Sequence, residues 1–170
     1  RHLSPHDCKV MYYLHSDDKV KSVFHKIKLL SALGLQLDLT IPGSVAKLVN
    51  ETIKAYGRID ILVNNAGIGS FATIGDPAFN DVYHSSRAVN EEVQVEVTRL
   101  AAPYIVKNNG TVIFTSSLFA RNPVCKIFIE MIISLRESNS LLDVGTSAYS
   151  MGKNALIAFA MTLMHDLGSN

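Results

Sequence analysis

Cysteine is scarce in this chain of 170 residues: Cys8 and Cys125 stand 117 positions apart, with no Cys-x-x-Cys pair. That usage excludes a disulfide framework and a zinc ribbon. The six histidines are scattered, with no His-Glu-x-x-His arrangement, so no metal site is expected. An excess of charge is also missing. Sixteen Lys and Arg against 15 Asp and Glu leave a formal net charge of +1, which gives no footprint for nucleic acid or an anionic membrane surface. Long apolar runs are absent too. The stretch Val124 to Leu142 is apolar but only 19 residues long, and Lys126, Glu130 and Arg136 interrupt it, so it is too short and too charged for a membrane span. Asn50-Glu51-Thr52 and Asn109-Gly110-Thr111 fit the glycosylation sequon. No signal-peptide pattern precedes them, so a cytoplasmic location is the expectation.

The length, with 48% hydrophobic and 18% charged residues, suits one packed domain over residues 1–170. Hydrophobic periodicity predicts strands at Val10 to Leu14, Leu35 to Leu39, Ile61 to Val63 and Thr111 to Thr115. Between them it predicts helices. Asp17-Asp18 open one with Val20, Val23, Phe24 and Ile27 on its apolar face. Val45 to Tyr56 forms the next, with Pro42 in its first turn and Gly57 at its end. Longer helices are predicted from Ala88 to Lys107 and from Thr146 to Leu167. Strand alternating with helix gives an α/β fold with a parallel sheet.

Tyr149-Ser150-Met151-Gly152-Lys153 places a phenol and an amine four residues apart, on one face of a helix. A neighbouring ammonium favours the phenolate, which suits proton exchange with an alcohol or carbonyl oxygen. Two apolar strands end in polar residues at what would be the same sheet edge: Asn64-Asn65-Ala66-Gly67 after Ile61 to Val63, and Ser116-Ser117 after Thr115. Ligands of open parallel sheets bind at that edge.

In this order, Asn64-Asn65-Ala66-Gly67, Ser117 and Tyr149-x-x-x-Lys153 closely resemble the short-chain dehydrogenase/reductase family. The resemblance runs from about Lys9 to Asn170. It implies a Rossmann-like doubly wound sheet with helices on both faces, and hydride transfer between NAD(H) or NADP(H) and a small alcohol or carbonyl. Carried over, Tyr149 is the general acid/base, Lys153 holds the nicotinamide ribose, and Ser117 hydrogen-bonds the substrate oxygen. Asn90, 27 residues before Ser117, positions a water in a proton relay, although Val93 stands where many members have glycine. Asp38 and Leu39 resemble the adenine-contacting segment, and Asn65, Ala66 and Gly67 the cofactor-contacting strand end. The cofactor reads as NAD(P). Leu14, His15 and Ser16 stand where an acidic ribose ligand would follow the second strand, which leans toward NADP(H).

Other features depart from the family. No glycine-rich turn precedes Asp38, where Gly34 is the only glycine, so Val10 to Leu14 matches the second strand and the first is expected to be absent. Ser117 and Tyr149 are 32 positions apart, and removing residues 124–142 restores the family spacing. Such a segment is either a translated intron or gene-model error, or a genuine lid or partner-binding helix. The sequence therefore suggests a fragment of an oxidoreductase whose parent is a homo-oligomer paired through the helices around Asn90 and Tyr149. The alternative is an inactive, truncated chain acting as an interaction module.

Overall fold

The computed structural model describes residues 11–14, 33–117, 120 and 145–167. Its elements run β1 (Met11–Leu14), β2 (Leu33–Gln36), α1 (Ser44–Tyr56), β3 (Ile61–Asn64), α2 (Phe79–Arg87), a π-helical turn (Ala88–Glu92), α3 (Val93–Lys107), β4 (Thr111–Phe114) and α4 (Ser147–Leu167). The expected helix after Asp17, the stop at Gly168 and the segment 124–142 lie outside the described residues.

All observed pairing is parallel, which requires a crossover between partners. β1 pairs with β2 from Met11 opposite Leu33, and β3 pairs with β4 from Ile61 opposite Thr111. Among the described residues these are two separate two-stranded sheets, and β3 has β4 as its one partner. The expectation of parallel pairing is met in both sheets.

Element boundaries differ from expectation most in three places. β2 begins at Leu33 and ends before Leu37, because Leu37 and Leu39 leave the sheet to pack in the core with Val45, Val93 and Val97. The helix expected from Ala88 begins at Phe79 and passes through the π turn into α3 without a break. Its early turns are polar, with Asn80, Asp81, His84 and Ser85, so apolar periodicity misses them. Pro42 lies ahead of α1, whose first residue is Ser44 and whose cap is Gly43 in the left-handed region at φ 86°.

The apolar spacing along α1 puts Val45 and Val49 inside. Gly57, at φ 73°, closes the helix with its N–H donating to the Ile53 carbonyl at 2.7 Å. The Tyr56 hydroxyl then accepts from the Leu33 N–H at 2.8 Å, tying α1 to β2. Strand alternation sends Leu62 toward the core and leaves Ile61 and Val63 48% and 55% exposed. Ile113, opposite Val63, is 46% exposed, so one face of the β3–β4 pair is apolar and uncovered by described residues.

Gly145 joins the start of α4 to the segment after β3. Its φ is +56°, its carbonyl accepts from the Ala72 N–H at 3.0 Å, and an added Cβ would lie 2.5 Å from the Ala72 carbonyl carbon. Only glycine satisfies both demands. The contact holds Phe71 beside Tyr149, ring centroids 6.2 Å apart.

Candidate active site

The site grows from one face of the long helix. Ser86, Asn90, Gln94 and Thr98 recur every four residues and so stack along a single stripe. Each is at most 1% exposed. A buried polar group must find a partner or lose about 1–3 kcal/mol, and this stripe finds its partners in the segment that leaves β3. The Asn64 Nδ2 donates to Thr98 Oγ1 at 2.9 Å. The Gln94 Nε2 donates to the Ala66 carbonyl at 2.7 Å. Asn90 grips the backbone of Ile68 on both its flanking peptides, its Oδ1 accepting from the Ile68 N–H at 2.8 Å and its Nδ2 donating to the Ile68 carbonyl at 3.0 Å. The same Nδ2 donates to Ser86 Oγ at 2.9 Å, and Ser86 Oγ donates in turn to the Ala148 carbonyl in α4 at 3.4 Å.

Asn90 sits in the π turn, where the helix is widened by one residue, a distortion common at functional sites. Helix α4 crosses close to it because residue 152 is glycine: a Cβ there would stand 3.1 Å from the Asn90 Cβ. That crossing delivers Lys153. The side chain is buried, only 3% exposed, and its Nζ donates to the Thr115 carbonyl at 2.9 Å. The Nζ also lies 6.0 Å from the Tyr149 ring centroid, the separation that four-residue spacing on a helix produces. Gly67 closes the cluster, since a Cβ on it would meet Asn90 Oδ1 at 3.0 Å and Lys153 Nζ at 3.2 Å. Gly67, Asn90, Tyr149 and Lys153 thus meet in space although they span 86 positions of sequence.

Ser117 follows β4 at the same edge, and its carbonyl accepts from the Ala120 N–H at 3.1 Å. Its neighbour Ser116 donates from Oγ to the Lys153 carbonyl at 3.1 Å, which fixes the end of β4 to α4. The other cofactor-side candidates form a second group. Leu39, Asn65 and Ala66 line a cavity of about 530 Å³ with Leu62, Val63, Gln94 and Val97 among its other walls. Asp38 is not among those walls. Its Oδ1 instead accepts from the Thr40 N–H at 2.9 Å and from Thr40 Oγ1 at 2.6 Å, closing a turn on itself.

Sequence reasoning missed Ser86, Gln94, Thr98 and Phe71. The first three carry a readable signal: small polar or amide residues every four positions along a helix otherwise rich in Val, Leu and Ala. Phe71, 57% exposed beside Tyr149, carries none, because one aromatic residue in a loop has no period.

Burial holds Lys153 below its ordinary value of 10.5. The sign of the consequence follows directly. Unfolding returns the amine to water, so between the lowered folded value and the ordinary one the unfolded chain binds more protons. Stability therefore rises with pH through that window and is lost as pH falls through the folded value. Urea midpoints measured from pH 7 to about 10.4 should climb for the wild type relative to Lys153→Met, whose side chain has similar length and no charge. A difference that stays flat across that range would show that burial of the ammonium costs nothing.

The described residues hold no cluster of His, Cys, Asp and Glu fit for a metal ion, and no helix among them is long and apolar enough to cross a membrane.

The profile of the short chain dehydrogenase family matches residues 1–128. Versicolorin reductase 1 of Aspergillus parasiticus is 34% identical over 110 residues, covering 64% of this chain and 41% of that protein. Meso-2,3-butanediol dehydrogenase of Serratia marcescens is 28% identical over 87 residues, covering 51% of this chain and 34% of that protein. The match thus spans less than half the length of these relatives. Among solved structures, the KRED1-Pglu enzyme superposes with a TM-score of 0.74 at 25% identity, covering 95% of this chain and 59% of that one. With the fold, the strand-end asparagines and the Tyr149–Lys153 helix already in place, the matched profile shows that this chain belongs to the short-chain dehydrogenase family.

Proposed function

We propose that the chain is part of an NAD(P)-dependent oxidoreductase that acts on a small alcohol or carbonyl compound. The observation that carries this reading is the Gly67, Asn90, Tyr149, Lys153 cluster. It places a buried amine beside a phenol, next to a backbone position with no room for a side chain. The cavity lined by Leu39, Asn65 and Ala66 suits a flat apolar ring system, so the residues fit such a cofactor. When bound, it would supply or accept the hydride.

The chain's own groups do the rest. Tyr149 moves the proton at its phenolic oxygen, toward the substrate oxygen in reduction and away from it in oxidation. Lys153, held by the Thr115 carbonyl, keeps a donor beside the phenol and the ribose. Ser117 donates to the substrate oxygen from the end of β4. Asn90 holds the Ile68 peptide and, with it, the approach to Gly67. Phe71, exposed next to Tyr149, gives the substrate side an aromatic wall, which favours substrates with an apolar part. We assign NADP(H) as the preferred form because of Leu14-His15-Ser16, a cytoplasmic location, and a homo-oligomer paired through the helices around Asn90 and Tyr149.

The test is to incubate the 170-residue chain with NADPH or NADH and a series of small ketones, following nicotinamide absorbance. Turnover faster with NADPH supports the whole reading, and faster turnover with NADH corrects the cofactor alone. Absence of turnover in a cooperatively folded chain favours the second reading, an inactive interaction module. One observation speaks for that module: β3 presents an edge to which no described strand pairs.

A further inference from the structure

Phe71 differs from the other exposed apolar residues in being held on several sides. Its ring is 57% exposed, yet the next residue, Ala72, is 6% exposed and donates its N–H to the Gly145 carbonyl at 3.0 Å. That contact fixes the backbone beneath the ring. The ring tip lies against Gly69, where an added Cβ would stand 3.4 Å from Phe71 Cζ and 3.5 Å from Cε2. The remaining neighbour is the Tyr149 ring, 6.2 Å away by centroids and inclined at 53°. A ring already held in this way surrenders little freedom when a ligand packs on it.

The position beside Tyr149 limits what that ligand can be. A substrate oxygen must come within about 2.6–3.2 Å of the phenolic oxygen to exchange its proton, which leaves the substituents of the carbonyl carbon only a bond or two further away. They fall within reach of the Phe71 ring. None of residues 67–75 is charged, so this side of the site offers no counter-ion to a carboxylate or a phosphate. An aromatic wall favours another π system, in offset or tilted contact, over a saturated group of equal size. A ring bonded directly to the carbonyl carbon is conjugated with it and shares its plane. Fixing such a ring also fixes the orientation of the reacting carbonyl.

We propose that Phe71 is a specificity-determining residue that selects uncharged aryl ketones and aldehydes, in which a planar ring adjoins the carbonyl, with the matching benzylic alcohols in the reverse direction. This rests on the oxidoreductase reading, because Tyr149 must be the group that meets the substrate oxygen.

The probes are acetophenone and cyclohexyl methyl ketone, two methyl ketones of similar size that differ in having a planar or a saturated ring. Each is titrated by saturation-transfer NMR onto the whole 170-residue chain as wild type, Phe71→Ala and Phe71→Leu, and turnover with NADPH and NADH is followed on the same samples. Wild type is expected to bind acetophenone about tenfold more tightly than its saturated counterpart. Both variants should bring the two ketones to within about twofold, the leucine variant because it keeps an apolar side chain and loses the π face. Both should melt as the wild type does, since most of the ring is exposed. The proposal is overturned if wild type binds the two ketones alike, if either variant keeps the preference, or if neither ketone binds at about 10 mM. Turnover of both ketones with similar kcat/KM also overturns it and leaves the oxidoreductase reading standing. Selective binding of acetophenone without turnover upholds the selection by Phe71 and counts against that reading.

Discussion

Replacing Tyr149 by phenylalanine is expected to lower carbonyl reduction by roughly 10²–10⁴-fold, the range a positioned proton donor supplies, while cofactor affinity changes little. The substitution removes a single oxygen. The ring keeps its place against Phe71 and Lys153, 6.2 Å and 6.0 Å away by the same centroid. Packing of α4 is set elsewhere, by Gly152 against Asn90 and by the fully buried Leu156. A loss confined to kcat, with unchanged NADPH titration and unchanged melting temperature, identifies the phenol as the proton carrier. A variant that keeps more than about a tenth of the rate would remove Tyr149 from that role.

Asn90→Ala acts on the fold before it acts on chemistry. The amide satisfies the Ile68 N–H and carbonyl together, and its loss leaves both inside with the Ser86 hydroxyl short of a donor. At about 1–3 kcal/mol for each of the two stranded Ile68 groups, the expected cost is roughly 2–6 kcal/mol. For a chain of this size that corresponds to a fall of about 5–20 °C in melting temperature, measurable by circular dichroism. Asn90→Asp separates the contributions, because it retains the acceptor for the Ile68 N–H and places an anion where the amide donated. A melting temperature within about 2 °C of wild type for the alanine variant would mean that water replaces the amide and that the Ile68 clamp holds nothing in place.

The difference between these two residues shows what the sequence made legible. Tyr149 and Lys153 are four apart on one helix, so their meeting is a property of the helix itself and could be read without knowing the fold. Asn90 was reached by its spacing from Ser117. Its actual partners, 22 residues upstream at Ile68, depend on how α3 lies across β3, which no local pattern encodes. Lys153 illustrates the same limit from the other side, since a lysine reads as solvated by default, whereas tertiary packing leaves it 3% exposed. The early turns of α2 were missed because Asn80, Asp81, His84 and Ser85 hide the helical period, and the start of β2 because a strand as short as Leu33–Gln36 offers hardly one alternation. The α/β class was legible throughout, since alternation of element types survives errors of a few residues at each boundary.

The polar stripe on the long helix also bears on the order in which the chain assembles. Its bonds to the segment leaving β3 close over 22, 28 and 34 residues. Those that fasten α4 close over 37, 38 and 62. Contacts nearer in sequence form sooner because less chain entropy must be surrendered first. The stretch from β3 through α3 is therefore the natural folding kernel, with the helix fastened to the strand exit by Asn90, Gln94 and Thr98. Helix α4 arrives on a finished surface, so Tyr149 and Lys153 are put in place after the segment they face.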